Sequence, residues 1–224
     1  MAPTGQRPGR YRTHSPHFDA AFRRRLETLF RWRRDVRRFR ADPLPSGLVE
    51  RLLAQADAAP SVGNSQPWRF VVVEDEGRRR AARAHFAAVN ERALAGYRGE
   101  RARLYASLKL EGMDRAPVQL VAFCDPDTDQ GHGLGRLTMP QTLEWSVVLA
   151  IAQLWLAARA HGVGLGWVSL LEPAVVAEIL AVPQRWRFIG WLCLGYPEEE
   201  SPEPELERLG WQRRTPLGER IFHR

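Results

Sequence analysis

One long apolar helix constrains this chain most. Leu143, Val147, Ala150, Ile151, Leu154, Trp155 and Ala158 recur at helical spacing between Pro140 and His161. Pro140 suits a first helical turn, and Gly162 suits the position just past the last one. So broad an apolar face must be covered, either by the rest of the fold or by a second copy of the chain. The most apolar part, residues 147–158, is interrupted by Gln153 and is too short to cross a bilayer. The chain must therefore be built around this helix.

The segments available to cover it alternate between helical and extended patterns. Apolar residues at helical spacing mark a first helix over residues 18–32. Ser46 is placed to cap a second helix carrying Leu48, Leu52, Leu53 and Ala56, which Pro60 ends. Residues 76–112 are rich in Ala, Arg and Glu and read as helix, broken by Gly96 and Gly99 around Tyr97. Residues 173–180 form a short helix. Strands are expected at 69–73, 117–124, 164–171 and 188–194, each a β-branched or aromatic run. The pattern implies an α+β sandwich with a mixed, mainly antiparallel sheet of four or five strands flanked by helices. The domain is expected over residues 17–224, after a polar, proline-containing arm at 1–16.

Charge excludes less than it suggests. The chain of 224 residues carries a net charge of +7 and a single lysine, Lys109. Basic surface alone speaks to solubility, and no groove-reading motif for nucleic acid accompanies it. Cys124 and Cys193 lie within apolar runs and read as buried thiols. No set of His, Cys, Asp or Glu has metal-ligand spacing, so no metal is expected. Met113, Met139 and His132 receive no role. The glycines at 131, 133 and 135 do not have the spacing of a dinucleotide loop. No apolar signal core opens the chain, and a cytoplasmic protein without membrane or nucleic-acid partners is expected.

Two polar loops carry the chemistry. The first, residues 33–40, reads RRDVRRFR and surrounds one carboxylate with arginines. Guanidinium groups suit phosphate oxygens. The second, residues 59–68, reads APSVGNSQPW and offers amides and hydroxyls able to read a heterocycle edge. One loop suits a phosphate and the other a ring, so a phosphorylated ring ligand is implied, of a kind the chemistry alone leaves open.

These residues resemble a known signature. RRDVRRF at 33–39, APS at 59–61 and NSQPW at 64–68 are similar to the FMN-binding motifs of the nitroreductase-like flavoproteins. Most of that family carries Ser where this chain has Asp35. The aspartate resembles the branch of aerobic 5,6-dimethylbenzimidazole synthases (BluB). GHGLGR at 131–136, TMP at 138–140, GWVS at 166–169 and LCLGYP at 192–197 resemble the same branch. The resemblance runs from about Phe18 to the end of the chain.

It implies a nitroreductase-like intertwined homodimer with FMN at the subunit interface. It further implies that reduced FMN is bound as substrate and is fragmented with O2 to 5,6-dimethylbenzimidazole, the lower ligand of vitamin B12, and erythrose 4-phosphate. A separate flavin reductase would supply the reduced FMN. Arg33, Arg34 and Arg37 would anchor the ribityl phosphate. Asp35 would hold ribityl hydroxyls and assist proton transfer. Ser169, with Val168 beside it, would orient the reacting edge of the ring. Ser61, Asn64 and Gln66 would contact the flavin or hold their loop. A basic residue of the tail, Arg214, would approach the phosphate, and residues 86–114 would form a lid. Asp35 also has a plainer reading, an ion pair that orients the arginines. Two other functions compete: an FMN-dependent NAD(P)H oxidoreductase acting on nitro or quinone compounds, whose pocket would be open to a second substrate, and a non-catalytic flavin-binding protein.

Overall fold

The structure is a computed structural model that describes residues 15–108 and 112–224. Most of the expected N-terminal arm, Lys109 and part of the expected lid lie outside the described residues. The elements run α1 (Ala20–Trp32), α2 (Leu48–Asp57), β1 (Trp68–Val72), α3 (Glu76–Ala95), α4 (Gly99–Ser107), α5 (Gly112–Arg115), β2 (Val118–Cys124), α6 (Thr142–Ala160), β3 (Gly164–Val168), α7 (Pro173–Leu180), β4 (Arg187–Gly195) and α8 (Glu205–Arg208).

The four strands lie in the order β1-β2-β4-β3, and every pairing is antiparallel. The parallel component expected of a mixed sheet survives as one bridge, between Asp35 and Leu165. One face of the sheet packs against α2 and α6 through Leu52, Ala56, Leu120, Val147, Ile151, Leu154, Leu165 and Leu192. The other face packs with α3, α5 and α7 through Val73, Ala82, Met113, Val121, Phe123, Val176 and Trp191. Cys124 and Cys193 are both buried in these layers. Burial pushes the Cys124 thiol up to about 12 and the Cys193 thiol higher still, so neither is a thiolate at neutral pH.

The central helix divides cleanly. Leu143, Val147, Ala150, Ile151, Leu154 and Ala158 are buried, whereas Trp145, Val148, Leu149 and Ala152 form an exposed stripe. Trp145 keeps 49% of its surface open. Beside it α1 buries none of its residues and exposes Phe22 and Phe30. Among the described residues α6 is the one helix long and apolar enough to cross a membrane, but its buried face belongs to the sheet core.

Two local expectations are corrected. Ser46 does not cap α2: the N-cap is Gly47, in a left-handed conformation, and no side chain bonds the first turn. The third strand ends at Val168 rather than Leu171, because its partner β4 pairs with it only as far as Trp191. Ser169 therefore lies just beyond the strand.

Beyond β3 the sheet edge is covered by the arginine loop, which removes an exposed edge. The Val36 amide donates to the Leu165 carbonyl at 3.0 Å, and the Arg40 amide to the Tyr196 carbonyl at 2.8 Å. So close an approach needs glycine on β3. A Cβ on Gly164 would lie 2.7 Å from Val36 Cγ2, and one on Gly166 would run into the Val36 carbonyl. Gly166→Ala is expected to lower stability by about 3 kcal/mol, the upper range for overpacking. Urea unfolding of the variant checks this, and an unchanged midpoint would refute the docking.

Candidate flavin site

The arginine loop leaves α1 with Arg33 in an extended conformation, and the docking on β3 then fixes its direction. The three arginines singled out from the sequence have three different environments. Arg33 lies with its guanidinium carbon 4.7 Å from the centre of the Trp155 ring. Among the described residues its side chain makes no hydrogen bond or ion pair. Partial burial holds its pKa below the usual value, with Asp35 acting against that shift and Arg214 adding to it.

Arg34 instead turns its guanidinium to backbone carbonyls. It donates to Arg33 O at 2.5 Å and also to the carbonyls of Arg31 and Pro202. That commits its donors to holding the loop against the segment after β4. Arg37 sits between two carboxylates, with its Nε 3.7 Å from Asp35 Oδ2 and 3.9 Å from Glu205 Oε2. Its Nη1 is buried without a partner among the described residues. Arg38 pairs with Glu199 and Glu205 and Arg40 with Asp42, in keeping with surface roles.

Asp35 is held by one oxygen. Its Oδ1 accepts the Trp167 amide at 2.9 Å. The side chain keeps 40% of its surface open, yet protein crowds the carboxyl closely. This desolvation raises its pKa above the usual carboxylate value. The Trp167 hydrogen bond and the Arg37 and Arg33 charges oppose the shift, and Glu205 adds to it. The ion-pair reading of Asp35 thus has support at 3.7 Å, but its closest contact is a backbone amide.

Asp35 and Arg37 form one wall of a cavity of about 370 Å3. Gly166, Val168 and Ser169 form another, and Cys193 closes it from the sheet. Tyr97, Tyr105 and Trp211 roof it. The tyrosine rings stack at 4.9 Å, and Trp211 meets Tyr97 edge-on at 5.5 Å. Arg101 lies over Trp211 and donates to its carbonyl at 2.9 Å. Tyr105 Oη donates to Asn90 Oδ1 at 2.7 Å. Asn90, Tyr97, Arg101 and Tyr105 fall within residues 86–114, where a lid is expected from the resemblance, whereas Trp211 has no site role in the sequence reading.

The second loop is not part of this cavity. Ser61 Oγ accepts the Gln66 amide at 3.0 Å, a local turn contact. Asn64 and Gln66 both have positive φ. Gln130 donates to Asn64 O and to Gln66 Oε1, and Gln66 also reaches Asp57. Gly131 lies against this loop, with no room for a Cβ beside Gly63 O. Trp68 is buried, with its indole on Asp57. The Val62 amide donates to Ser146 Oγ near the start of α6, whereas the Trp155 indole donates to Arg34 O near its end. In one chain the two loops are thus attached roughly 13 Å apart along the helix. Arg214 does lie near the first loop of its own chain, since its charge disfavours protonation of Arg33 and Arg34.

Residues 30–196 match the model of the nitroreductase family. The chain belongs to that family. A 5,6-dimethylbenzimidazole synthase of Rhodospirillum rubrum is 59% identical over 90% of this chain and 95% of its own length. A second, from Rhodobacter capsulatus, is 48% identical over 89% of this chain and 97% of its own. Among solved structures, an iodotyrosine deiodinase bound to FMN and 3-iodo-L-tyrosine superposes with a TM-score of 0.69 at 24% identity, over 89% of this chain and 97% of that one. This last likeness concerns the fold.

Two features suit a flavin phosphate: a cavity of ligand size with an orphaned donor on Arg37 in its lining, and Arg33, which has no carboxylate partner among the described residues and lines a second cavity that shares Trp167 with the first. The raised Asp35 pKa has a measurable consequence. A carboxyl that binds its proton more tightly when folded contributes stability below the unfolded value of 3.8, and loses it as pH rises through the folded value. Asp35→Asn, which keeps an acceptor for the Trp167 amide, is expected to melt higher than wild type at pH 7.5. The difference should close as the pH is lowered below 3.8. Thermal melts across pH check this, and a variant less stable at neutral pH would contradict it.

Proposed function

We propose that this chain is a 5,6-dimethylbenzimidazole synthase that binds reduced FMN as substrate and fragments it with O2, releasing erythrose 4-phosphate. The observation that carries the reading is the near full-length likeness to synthases of that name. The geometry is compatible with it: Tyr97, Tyr105 and Trp211 roof a cavity of ligand size beside Asp35 and Ser169. An open nitro- or quinone-reducing pocket is less compatible with that roof.

In this reading Arg33 and Arg214 hold the ribityl phosphate. Arg34 positions the loop through its carbonyl contacts. Asp35 Oδ2, the oxygen not engaged by Trp167, accepts a ribityl hydroxyl and takes up a proton; a desolvated carboxyl is a stronger base than one in water. Arg37 offers its unpartnered donor to a ring oxygen, and Ser169 with Val168 bounds the reacting edge. Bound reduced FMN supplies both the electrons for O2 and the carbon skeleton of the product. The roof of α3 and α4 acts as a lid that keeps water from the reacting ring.

The active form is a homodimer. The exposed stripe on α6 and the phenylalanines beside α1 are an apolar surface in need of cover. Two-fold pairing along α6 brings the start of one helix to the end of the other. That carries Ser61, Asn64 and Gln66 of one copy toward the arginine loop of the second, so both loops meet one flavin. The reading also entails a cytoplasmic enzyme served by a separate flavin reductase.

The test is direct. Purified protein mixed with chemically reduced FMN in air should yield 5,6-dimethylbenzimidazole by mass spectrometry, dependent on protein and O2. Reoxidation to intact FMN alone would refute the reading and favour a nitro or quinone reductase. Asp35→Asn should still bind FMN while product formation falls at least about 100-fold, the scale of lost general-base assistance. Product at the wild-type rate would remove Asp35 from the chemistry.

A further inference from the structure

We infer that Trp155, on the central helix, is the positioning residue that makes this site select a phosphorylated flavin over an unphosphorylated one. The inference rests on the flavin reading above and adds a residue to it. The indole makes two contacts with adjacent residues of the arginine loop. Its face carries the Arg33 guanidinium at 4.7 Å. Its N–H donates to the Arg34 carbonyl at 2.9 Å. One rigid side chain therefore fixes both the backbone that presents Arg33 and the guanidinium itself.

The charge pattern around the loop shows why this matters. Arg38, Arg159 and Arg208 are all neutralised by glutamates of the segment after β4. Arg37 lies between Asp35 and Glu205. Neither Arg33 nor Arg34 has a carboxylate on it among the described residues; Arg34 turns its donors to backbone carbonyls, whereas what holds Arg33 is an aromatic face. A stacked guanidinium keeps its N–H donors in the plane of the fork, free for an oxyanion. A carboxylate partner would have occupied those donors. Arg214 lies close enough to oppose the Arg33 charge, so two cations share this corner. Each gains if an anion lies between them.

Trp155 also packs against Trp167, with ring centres 6.2 Å apart. The Trp167 amide holds Asp35. The phosphate arginine rests on one indole and the carboxylate on the backbone amide of the residue whose indole packs against it, which links the two positions through the Trp155–Trp167 contact.

The experiment measures binding of two probes, FMN and riboflavin, to wild type, Trp155→Phe and Trp155→Leu by flavin fluorescence titration. Riboflavin lacks the phosphate, so it reports everything except the corner that Trp155 organises. Wild type is expected to prefer FMN. Trp155→Leu should weaken FMN roughly tenfold, the scale of a cation–π contact, and leave riboflavin within about twofold. Trp155→Phe, which keeps a ring face but loses the N–H, should fall between them. Equal weakening of both probes, or an unchanged preference for FMN, would overturn the inference while leaving the flavin reading intact. A wild type that binds neither probe would refute the flavin reading itself. Because each variant is judged by the ratio of two ligands, a general loss of folding or pairing changes both and counts against the inference.

Discussion

The structure depends on the docking of Asp35 and Val36 along the edge of β3. Two hydrogen bonds make it, from the Val36 amide to the Leu165 carbonyl and from the Trp167 amide to the Asp35 carboxylate. The glycines at 164 and 166 allow the backbone to come that close. The same contact covers a sheet edge, directs the arginines and desolvates the carboxylate. Stability and chemistry are therefore not separable here. A residue larger than glycine on β3 would move the loop, and with it every charged group of the site.

Electrostatics then sorts residues that composition treats alike. The loop and its surroundings hold an excess of arginine, yet most of it is neutralised locally by the glutamates at 198–205. Exposed pairs of this kind contribute little to stability individually. Their effect is selective: they neutralise the arginines around the loop and leave Arg33 without a carboxylate partner among the described residues. Such an arrangement concentrates anion affinity at one corner without making the whole face a generic anion trap.

The sequence made the layers legible because they rest on periodicity. The four strands, the central helix with its glycine stop, the break at Gly96 and Gly99 and the buried cysteines all follow from spacing and residue type. Its limits are equally physical. Where β3 ends is set by how far β4 runs beside it, so Ser169 could not be placed from its own segment. Ser46 looks like a cap, but the chain enters α2 through Gly47 in a conformation only tertiary structure demands. Arg33, Arg34 and Arg37 are indistinguishable as letters. They separate only when Trp155, the Pro202 carbonyl and Glu205 arrive from segments up to 168 positions away. The second loop was legible as a polar loop rich in amides and hydroxyls. That it stands at the other end of α6 was not, because the distance is a property of the helix between them.

The way the roof is fastened fits an enzyme that consumes its flavin. α3 buries only Ala82 and α4 only Tyr105. Over the cavity the pair is held by Tyr97, Tyr105 and Trp211 and by Arg101 on the Trp211 carbonyl, while α3 meets the sheet core through Ala82 and Phe86. Segments with few buried contacts open at a fraction of the global unfolding free energy. A flavoenzyme that retains its cofactor gains nothing from a roof that opens fully, because only the second substrate must pass. A site whose flavin enters whole and leaves as two fragments must open for each turnover, and must close in between. A lightly fastened roof over a rigid, glycine-docked floor satisfies both demands at once.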